Sequence, residues 1–161
     1  MCYCPQCATT LQPRPVSGRL RPNCPACGYT YYEDPKVAVG VVAEKEGRIL
    51  LVRRNHEPKL GCWSFPAGFV DGGERVEDAA VREVMEEAGV TVALRGLLGV
   101  YSRAGERTVF IVYAGSVVGG EPTPGAEAMA VQYFHPDQVP TLAFPHDQQV
   151  VRDWKAFVGR T

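Results

Sequence analysis

The sequence predicts an α/β fold in which two helices cover a mixed β-sheet, preceded by a small metal-binding module. Three observations predict it: short β-branched apolar segments separated by turns, two segments with helical periodicity, and two C-x-x-C pairs near the N-terminus. The 161 residues are 45% hydrophobic and 22% charged, which is close to the globular average. We therefore expect the module over residues 1–34 and one ordinary domain over residues 35–161.

The module is defined by cysteines that have the spacing of zinc ligands. Cys4 and Cys7 form one C-x-x-C pair, Cys24 and Cys27 form the second, and sixteen residues separate the two pairs. Four thiolates complete a tetrahedral shell around zinc, so we expect a structural Zn²⁺ ribbon whose metal supplies the folding energy. Two disulfides or redox-active pairs are the alternative, and Cys2 competes with Cys4 at a poorer spacing.

Turn residues and apolar periodicity predict the remaining elements in chain order. Gly47 supplies the positive φ of a hairpin turn, Gly89 ends the first helix, and Pro145 begins the second. We expect strands at 36–43 and 48–54, an extended piece at 63–66, a glycine-containing loop at 67–73, a helix at 75–88, strands at 91–102, 107–118 and 129–134, one helical turn at 136–139 and a helix at 145–157.

The first predicted helix concentrates negative charge on one face. From Gly68 to Val90 there are seven acidic and two basic side chains. At about 100° per residue, Glu83, Glu86 and Glu87 share one arc of the helix. Repulsion between partly buried carboxylates, roughly 3 kcal/mol per pair, favours a divalent cation such as Mg²⁺ or Mn²⁺, and a solvated acidic face is the alternative. The opposite face is expected to pack on the core through Val81, Val84, Met85 and Ala88.

The same segment matches a known motif at every specified position. The motif is the Nudix box, G-x5-E-x7-R-E-U-x-E-E-x-G-U, which runs here from Gly68 to Val90. The chain thus resembles the Nudix hydrolase superfamily from Lys36 to about Phe157, and its cysteine module resembles that of the zinc-ribbon subgroup. The resemblance implies a Nudix α/β/α sandwich and hydrolysis of the pyrophosphate bond of a nucleoside diphosphate linked to another moiety.

The resemblance also implies roles for the carboxylates. Glu83, Glu86 and Glu87 resemble the metal ligands of the family, and the backbone carbonyl of Gly68 can join them around a catalytic Mg²⁺ or Mn²⁺. Either Glu86 or Glu87 is expected to be the general base. Glu127, on the loop before the last strand, is a third candidate, and an exposed loop residue is the alternative for it.

Two further box residues resemble supports for the carboxylates: Glu74 through hydrogen bonds and Arg82 by orienting a neighbouring glutamate. Candidate substrate contacts follow from residue type, because flat aromatic rings stack on adenine and arginines bind phosphates. For each of them a core or surface-charge role is the alternative. These candidates are Arg53, Arg54, Trp63, Tyr101, Arg103 and Phe144.

The expected substrate is ADP-ribose, FAD or a related dinucleotide. The Leu-Ala-Phe run at 142–144 resembles ADP-ribose and FAD pyrophosphatases. The Ser-Gln-Pro-Trp-Pro-Phe-Pro run of NADH pyrophosphatases is missing, so NADH is an alternative, as is a nucleoside triphosphate pyrophosphatase. A non-catalytic nucleotide sensor or a nucleic-acid adaptor is the alternative from a different class.

Charge and hydropathy limit the partners. The net charge of −1 favours neither nucleic acid nor an anionic membrane surface. No apolar segment reaches the roughly 20 residues of a spanning helix, and the N-terminus does not resemble a signal peptide. We expect a cytoplasmic enzyme whose partner is a small-molecule nucleotide, and the resemblance also suggests a homodimer.

Overall fold

The structure is a computed structural model that describes residues 3–160, and Cys2 lies outside the described residues. The chain divides into two compact units, Met1–Pro35 and Lys36–Thr161.

The first unit is a pair of cysteine turns joined by a β-hairpin, with strands β1 (Gln12–Val16) and β2 (Arg19–Asn23). The two cysteine turns have the same geometry. The amide of Ala8 donates to the carbonyl of Cys4 at 2.9 Å, and the amide of Gly28 donates to that of Cys24 at 3.0 Å. Ala8 and Gly28 both have positive φ, 57° and 78°, so the two turns bend the chain in the same sense.

The second unit is a mixed sheet with one helix on each face. Its strands follow the order β5-β4-β3-β8-β7, with β6 paired to β3 and β9 paired to β4. The β3–β8 pair is parallel and the other pairs are antiparallel. The elements are β3 (Lys36–Lys45), β4 (Arg48–Arg54), β5 (Trp63–Ser64), β6 (Ala67–Phe69), α1 (Val76–Ala88), β7 (Val90–Tyr101), β8 (Thr108–Gly120), β9 (Ala128–Phe134) and α2 (Asp147–Val158).

Alternation along β4 shows how the sheet separates two cores. Leu50 belongs to an apolar cluster that includes Val84 of α1. Ile49 and Leu51 belong to a second cluster that includes Trp154 of α2. Because successive side chains of a strand point to opposite faces, the two helices cover opposite faces of the sheet. The predicted α/β sandwich is therefore confirmed. Neither helix within residues 3–160 has the length and hydropathy to cross a bilayer.

Three local predictions were wrong. Residues 67–69 form a strand rather than part of a loop, because their backbone pairs with Ala38–Gly40 of β3. Residues 136–139 are not helical, and the amide of Gln138 closes a turn onto His135 at 2.8 Å. Met85 is 45% exposed rather than packed on the core, because the buried face of α1 lies further round the helix, at Ala79, Ala80, Val84, Glu87 and Ala88.

Candidate active site

The candidate site lies where helix α1 packs against strand β6. The first turn of α1 contains two acidic residues, Glu77 and Asp78, whose negative charges stabilise the helix by interacting with the positive end of its dipole. Gly89 ends the helix in the left-handed conformation, with φ of 68°, and donates its amide to Met85. Two carboxylates of this helix, those of Glu83 and Glu87, lie against the backbone of β6.

Arg82 organises the outer part of the site. Its guanidinium donates to both oxygens of Glu74, at 2.8 and 2.9 Å, and to the carbonyl of Phe69 at 3.1 Å. It also donates to Glu83 at 2.6 Å and to Glu86 at 3.1 Å. All five of its N–H groups are therefore engaged. The hydrogen bonds from Arg82, with one from the Asp71 amide, lower the pKa of Glu74 to about 2.

Glu83 lies directly against the strand. Its carboxylate occupies the space that a β-carbon on Gly68 would fill, so only glycine permits this approach. The Glu83 side chain is 12% exposed. Burial raises its pKa, with the charges of Glu86 and Glu127 adding to that effect and Arg82 opposing it.

Glu87 is the most buried carboxylate of the site, with 6% of its surface exposed. It accepts a hydrogen bond from the amide of Ala67 at 3.0 Å. Burial raises its pKa to about 7, the charges of Glu83 and Glu127 add to the rise, and the Ala67 amide and Arg54 oppose it. Glu83 and Glu87 therefore face adjacent residues of β6 and act on each other electrostatically.

A loop that follows β8 brings Glu127 towards these carboxylates. The amide of Thr123 donates to Ala88 at 2.9 Å and the amide of Gly125 donates to Glu87 at 3.1 Å, which satisfies two carbonyls at the end of α1. A β-carbon on Gly125 would overlap the backbone carbonyl of Glu86. The Pro/Gly composition of this segment was the sequence signal that could have marked Gly125.

Asn55, which was not among the predicted site residues, binds the same loop through its side chain and its backbone. Its side-chain amide donates to the backbone carbonyl of Ala126 at 2.5 Å. Its backbone amide donates to the backbone carbonyl of Glu127 at 3.1 Å. The Glu127 side chain itself is 68% exposed, with His56 at 3.7 Å. No local pattern in the sequence distinguishes Asn55 from an ordinary loop residue.

The predicted substrate contacts separate into two groups. The guanidinium of Arg54 lies 5.3 Å from the ring centre of Phe144, and its charge acts on Glu87. The remaining four make contacts elsewhere. Arg53 donates to the carbonyl of Gly61 at 2.9 Å, and Trp63 packs edge-on against Phe134 with ring centres 4.9 Å apart. Tyr101 donates to Asp153 at 2.8 Å, and Arg103 pairs with Glu106 at 3.7 Å.

The cysteines form the tightest group of metal-ligating residues in the described part of the chain. The sulfur atoms of Cys4, Cys7, Cys24 and Cys27 all lie within 4.8 Å of one another and are not joined as disulfides. Hydrogen bonding to Thr9 lowers the pKa of Cys7 to about 6. The oxygens of Glu83, Glu86 and Glu87 do not form a group of this kind within residues 3–160, because Arg82 holds the first two and Ala67 holds the third.

Comparison with known proteins identifies the family. The family profile described as NUDIX domain matches residues 34–154. The chain belongs to the NUDIX family. An ADP-ribose pyrophosphatase from Methanocaldococcus jannaschii is 39% identical over 130 residues, which is 78% of this chain and 76% of that protein. A NUDIX hydrolase structure from Nitrosomonas europaea superimposes with a TM-score of 0.90 at 31% identity, covering 99% of this chain and 94% of that one.

A further relative matches most of this chain. The NAD-capped RNA hydrolase NudC of Stutzerimonas stutzeri is 30% identical over 152 residues, or 93% of this chain, but this chain spans about half of that protein, 53%. The resemblance to Nudix hydrolases is confirmed, and this NUDIX protein is an enzyme that acts on phosphoric anhydrides. The prediction of a non-catalytic sensor or adaptor is therefore set aside.

Proposed function

We propose that this NUDIX enzyme hydrolyses the pyrophosphate bond of ADP-ribose, FAD or a related dinucleotide and releases AMP and a second phosphate. The observation that carries the proposal is the pair of shielded carboxylates, Glu83 and Glu87, held against adjacent residues of β6. The M. jannaschii relative named ADP-ribose pyrophosphatase supports the substrate class, because it matches most of both chains.

The donor chemistry of the site fits a hard divalent cation. Glu83, Glu86 and Glu87 offer only oxygen ligands, and Gly68, whose backbone carbonyl is the fourth candidate ligand, lies against the Glu83 carboxylate. Burial raises the pKa of both Glu83 and Glu87, so a nearby positive charge would stabilise their ionised forms. We propose that these four residues hold Mg²⁺ or Mn²⁺. Such an ion, when bound, neutralises phosphate oxygens and lowers the pKa of its bound water.

The side chains of the site orient the carboxylates, supply a general base and bind the pyrophosphate. Arg82 fixes Glu83 and Glu86 from one side and is itself held by Glu74. Glu86 or Glu87 accepts the proton of the attacking water, with Glu127 as the third candidate base. Arg54 binds the pyrophosphate. Within residues 3–160 only two of its N–H groups are engaged, on Pro58 and His56, which leaves others for phosphate oxygens.

We further propose that the four cysteines hold a structural Zn²⁺ and that residues 1–34 and 35–161 are separate domains. Four sulfur atoms within 4.8 Å of one another support the metal assignment. Reduced thiols are retained in the cytoplasm, which is where we place the reaction. A small-molecule nucleotide is the partner that this site requires, and we expect a homodimer that acts without nucleic acid.

NADH is a second candidate substrate. The NudC relative matches 93% of this chain, which favours an NAD-type substrate. Against it, the motif of NADH pyrophosphatases is missing after the box. A substrate panel separates the two.

The panel measures hydrolysis of ADP-ribose, FAD, NADH, diadenosine polyphosphates and nucleoside triphosphates with Mg²⁺ or Mn²⁺, with identification of products. We expect two organic monophosphates from ADP-ribose or FAD. Release of inorganic pyrophosphate from triphosphates, without dinucleotide cleavage, would contradict the proposal. Glu86→Gln and Glu87→Gln should each lower kcat about 10²- to 10⁴-fold with folding intact. Asp78→Asn, an exposed acid of the same helix, is the matched control.

A further inference from the structure

The first residue of helix α2 is a buried acid outside the Nudix box. Asp147 is 1% exposed, and its carboxylate accepts the amide N–H of Phe144 at 2.9 Å. The amide of Asp147 donates back to the carbonyl of Phe144 at 3.1 Å. This reciprocal pair of hydrogen bonds fixes the backbone of Phe144 relative to the start of α2.

Phe144 is also held from the preceding side and on its ring. The amide of Ala143 donates to the carbonyl of Trp63 at 2.8 Å, which ties the turn to the sheet. The Phe144 ring lies parallel to the imidazole of His146, with centres 5.6 Å apart and planes 4° apart. These contacts restrain the ring, and the carboxylate of Asp147 is the buried polar group that holds the backbone of Phe144.

The fixed ring in turn meets Arg54. The guanidinium lies 5.3 Å from the ring centre, within the range of a cation–π contact. Pro58 accepts from Nε at 3.0 Å, and the ring nitrogen of His56 lies 2.8 Å from one terminal nitrogen. The charge of Arg54 lowers the pKa of both Glu87 and Asp147, so it acts on the candidate site and on the buried acid together.

We propose that Asp147 is a positioning residue: it sets the ring of Phe144 against Arg54, and so directs the guanidinium towards the pyrophosphate of the substrate beside Glu87. This inference deepens the proposed function and rests on it. Arg82 cannot serve this purpose because its five donors are already engaged on the protein. Arg54, whose charge acts on Glu87, is thus the cation with donors left for the anion.

The first experiment measures kcat and KM for ADP-ribose in Mg²⁺. We expect Asp147→Ala to raise KM about tenfold with kcat within about twofold, because an orientation for binding is lost. Asp147→Asn should remain near wild type, because its amide oxygen still accepts from Phe144. Phe144→Leu should raise KM by a similar factor, and Asp147→Ala should add nothing further in that background. Arg152→Gln, an exposed arginine on α2, is the control.

Two results would overturn the proposal. One is a double variant whose KM rises by the product of the increases in Asp147→Ala and Phe144→Leu. The other is a wild-type KM in Phe144→Leu. The second result is decisive even where Asp147→Ala fails to fold.

The second experiment separates this inference from the proposed function. Calorimetric binding of methylenediphosphonate with Mg²⁺ reports the anion site without turnover. We expect Arg54→Gln, Asp147→Ala and Phe144→Leu to weaken binding and Asp147→Asn to retain it. If binding follows this pattern but no dinucleotide is hydrolysed, the proposed substrate is wrong and the positioning role stands. Dinucleotide hydrolysis with equal binding by all four variants would reject the positioning role and keep the proposed function.

Discussion

Gly68 shows how one missing side chain positions a functional carboxylate. It sits in strand β6, where backbone pairing with β3 fixes its place, and the carboxylate of Glu83 fills the volume of its absent β-carbon. A methyl group here must displace either the strand or the helix, and both are packed. The glycine of the Nudix box is therefore explained by close approach rather than by a positive φ.

We expect Gly68→Ala to lower kcat at least tenfold and to destabilise the fold by about 1–3 kcal/mol, because Glu83 and its neighbours must move. Turnover of ADP-ribose and thermal unfolding measure the two effects. Gly72→Ala is the matched control, since nothing lies within 4 Å of the added β-carbon and Gly72 has no positive φ. Equal behaviour of the two variants would contradict the explanation.

Asp147 makes stability depend on pH. Burial raises its pKa from 3.8 to about 7, against the opposing effects of the Phe144 amide and Arg54. Since the folded-state pKa is the higher one, this carboxyl favours folding below about pH 4, and that contribution is lost as the pH rises to about 7. His146 beside it has a pKa that burial lowers.

We expect Asp147→Asn to remove the loss of stability at higher pH. The asparagine amide does not ionise, and its oxygen still accepts the hydrogen bond from the Phe144 N–H. The difference in Tm, variant minus wild type, should increase between pH 5 and pH 8. A constant difference across that range would show that the buried carboxyl does not ionise during the titration or that it is not buried in solution.

Three elements form the frame of the site: strand β6, helix α1 and the loop over residues 121–127. The strand faces the carboxylates, the helix presents them, and the loop caps the end of the helix and carries Glu127. Gly125 is the point of contact between the loop and the helix backbone. The placement of Glu127 is thus a property of this frame rather than of its own side chain, which is largely exposed.

We expect Gly125→Ala to lower turnover at least tenfold by pushing the loop off the end of α1. Gly119→Ala, on β8 just before the same loop, has nothing within 4 Å of its β-carbon and should behave like wild type. Kinetics with ADP-ribose measure both. Wild-type turnover in Gly125→Ala would mean that the position of Glu127 is unimportant for the reaction.

Over the whole molecule, the first unit needs a different source of stability from the second. Among the described residues of Met1–Pro35, only Cys4 and Cys24 are buried. Lys36–Thr161, in contrast, contains two buried apolar clusters. So little apolar burial cannot offset the conformational entropy of ordering the chain, which supports metal binding as the stabilising contribution.

We expect Cys24→Ser to lose bound zinc and chelation of the metal to unfold residues 4–27. Metal content per chain and far-UV circular dichroism measure these outcomes. Cys62→Ser is the control, because Cys62 lies outside the cysteine group and should leave the zinc content unchanged. Full zinc content in Cys24→Ser would remove this cysteine from the ligand set.

Much of the fold was predictable because its signals are local. The β-branched run and Gly47 located β4 at Arg48–Arg54, and Gly89 located the end of α1. Strand β6 was missed because its three residues resemble a loop until β3 is beside them. The box residues could be assigned from their spacing along one helix, but the contact of Arg54 with Phe144 could not, since Phe144 is far from Arg54 in the sequence.

The spacing of residues along the chain was therefore enough to predict the NUDIX box, the cysteine pairs and the order of most elements. These features depend on turn residues and helical periodicity, which act over a few residues. Long-range contacts account for the rest: Gly68 against Glu83, Gly125 against Glu86, and Asp147 acting through Phe144 on Arg54. These contacts depend on which segments meet after folding. They are governed by close packing and by the burial of polar groups, neither of which a linear pattern records.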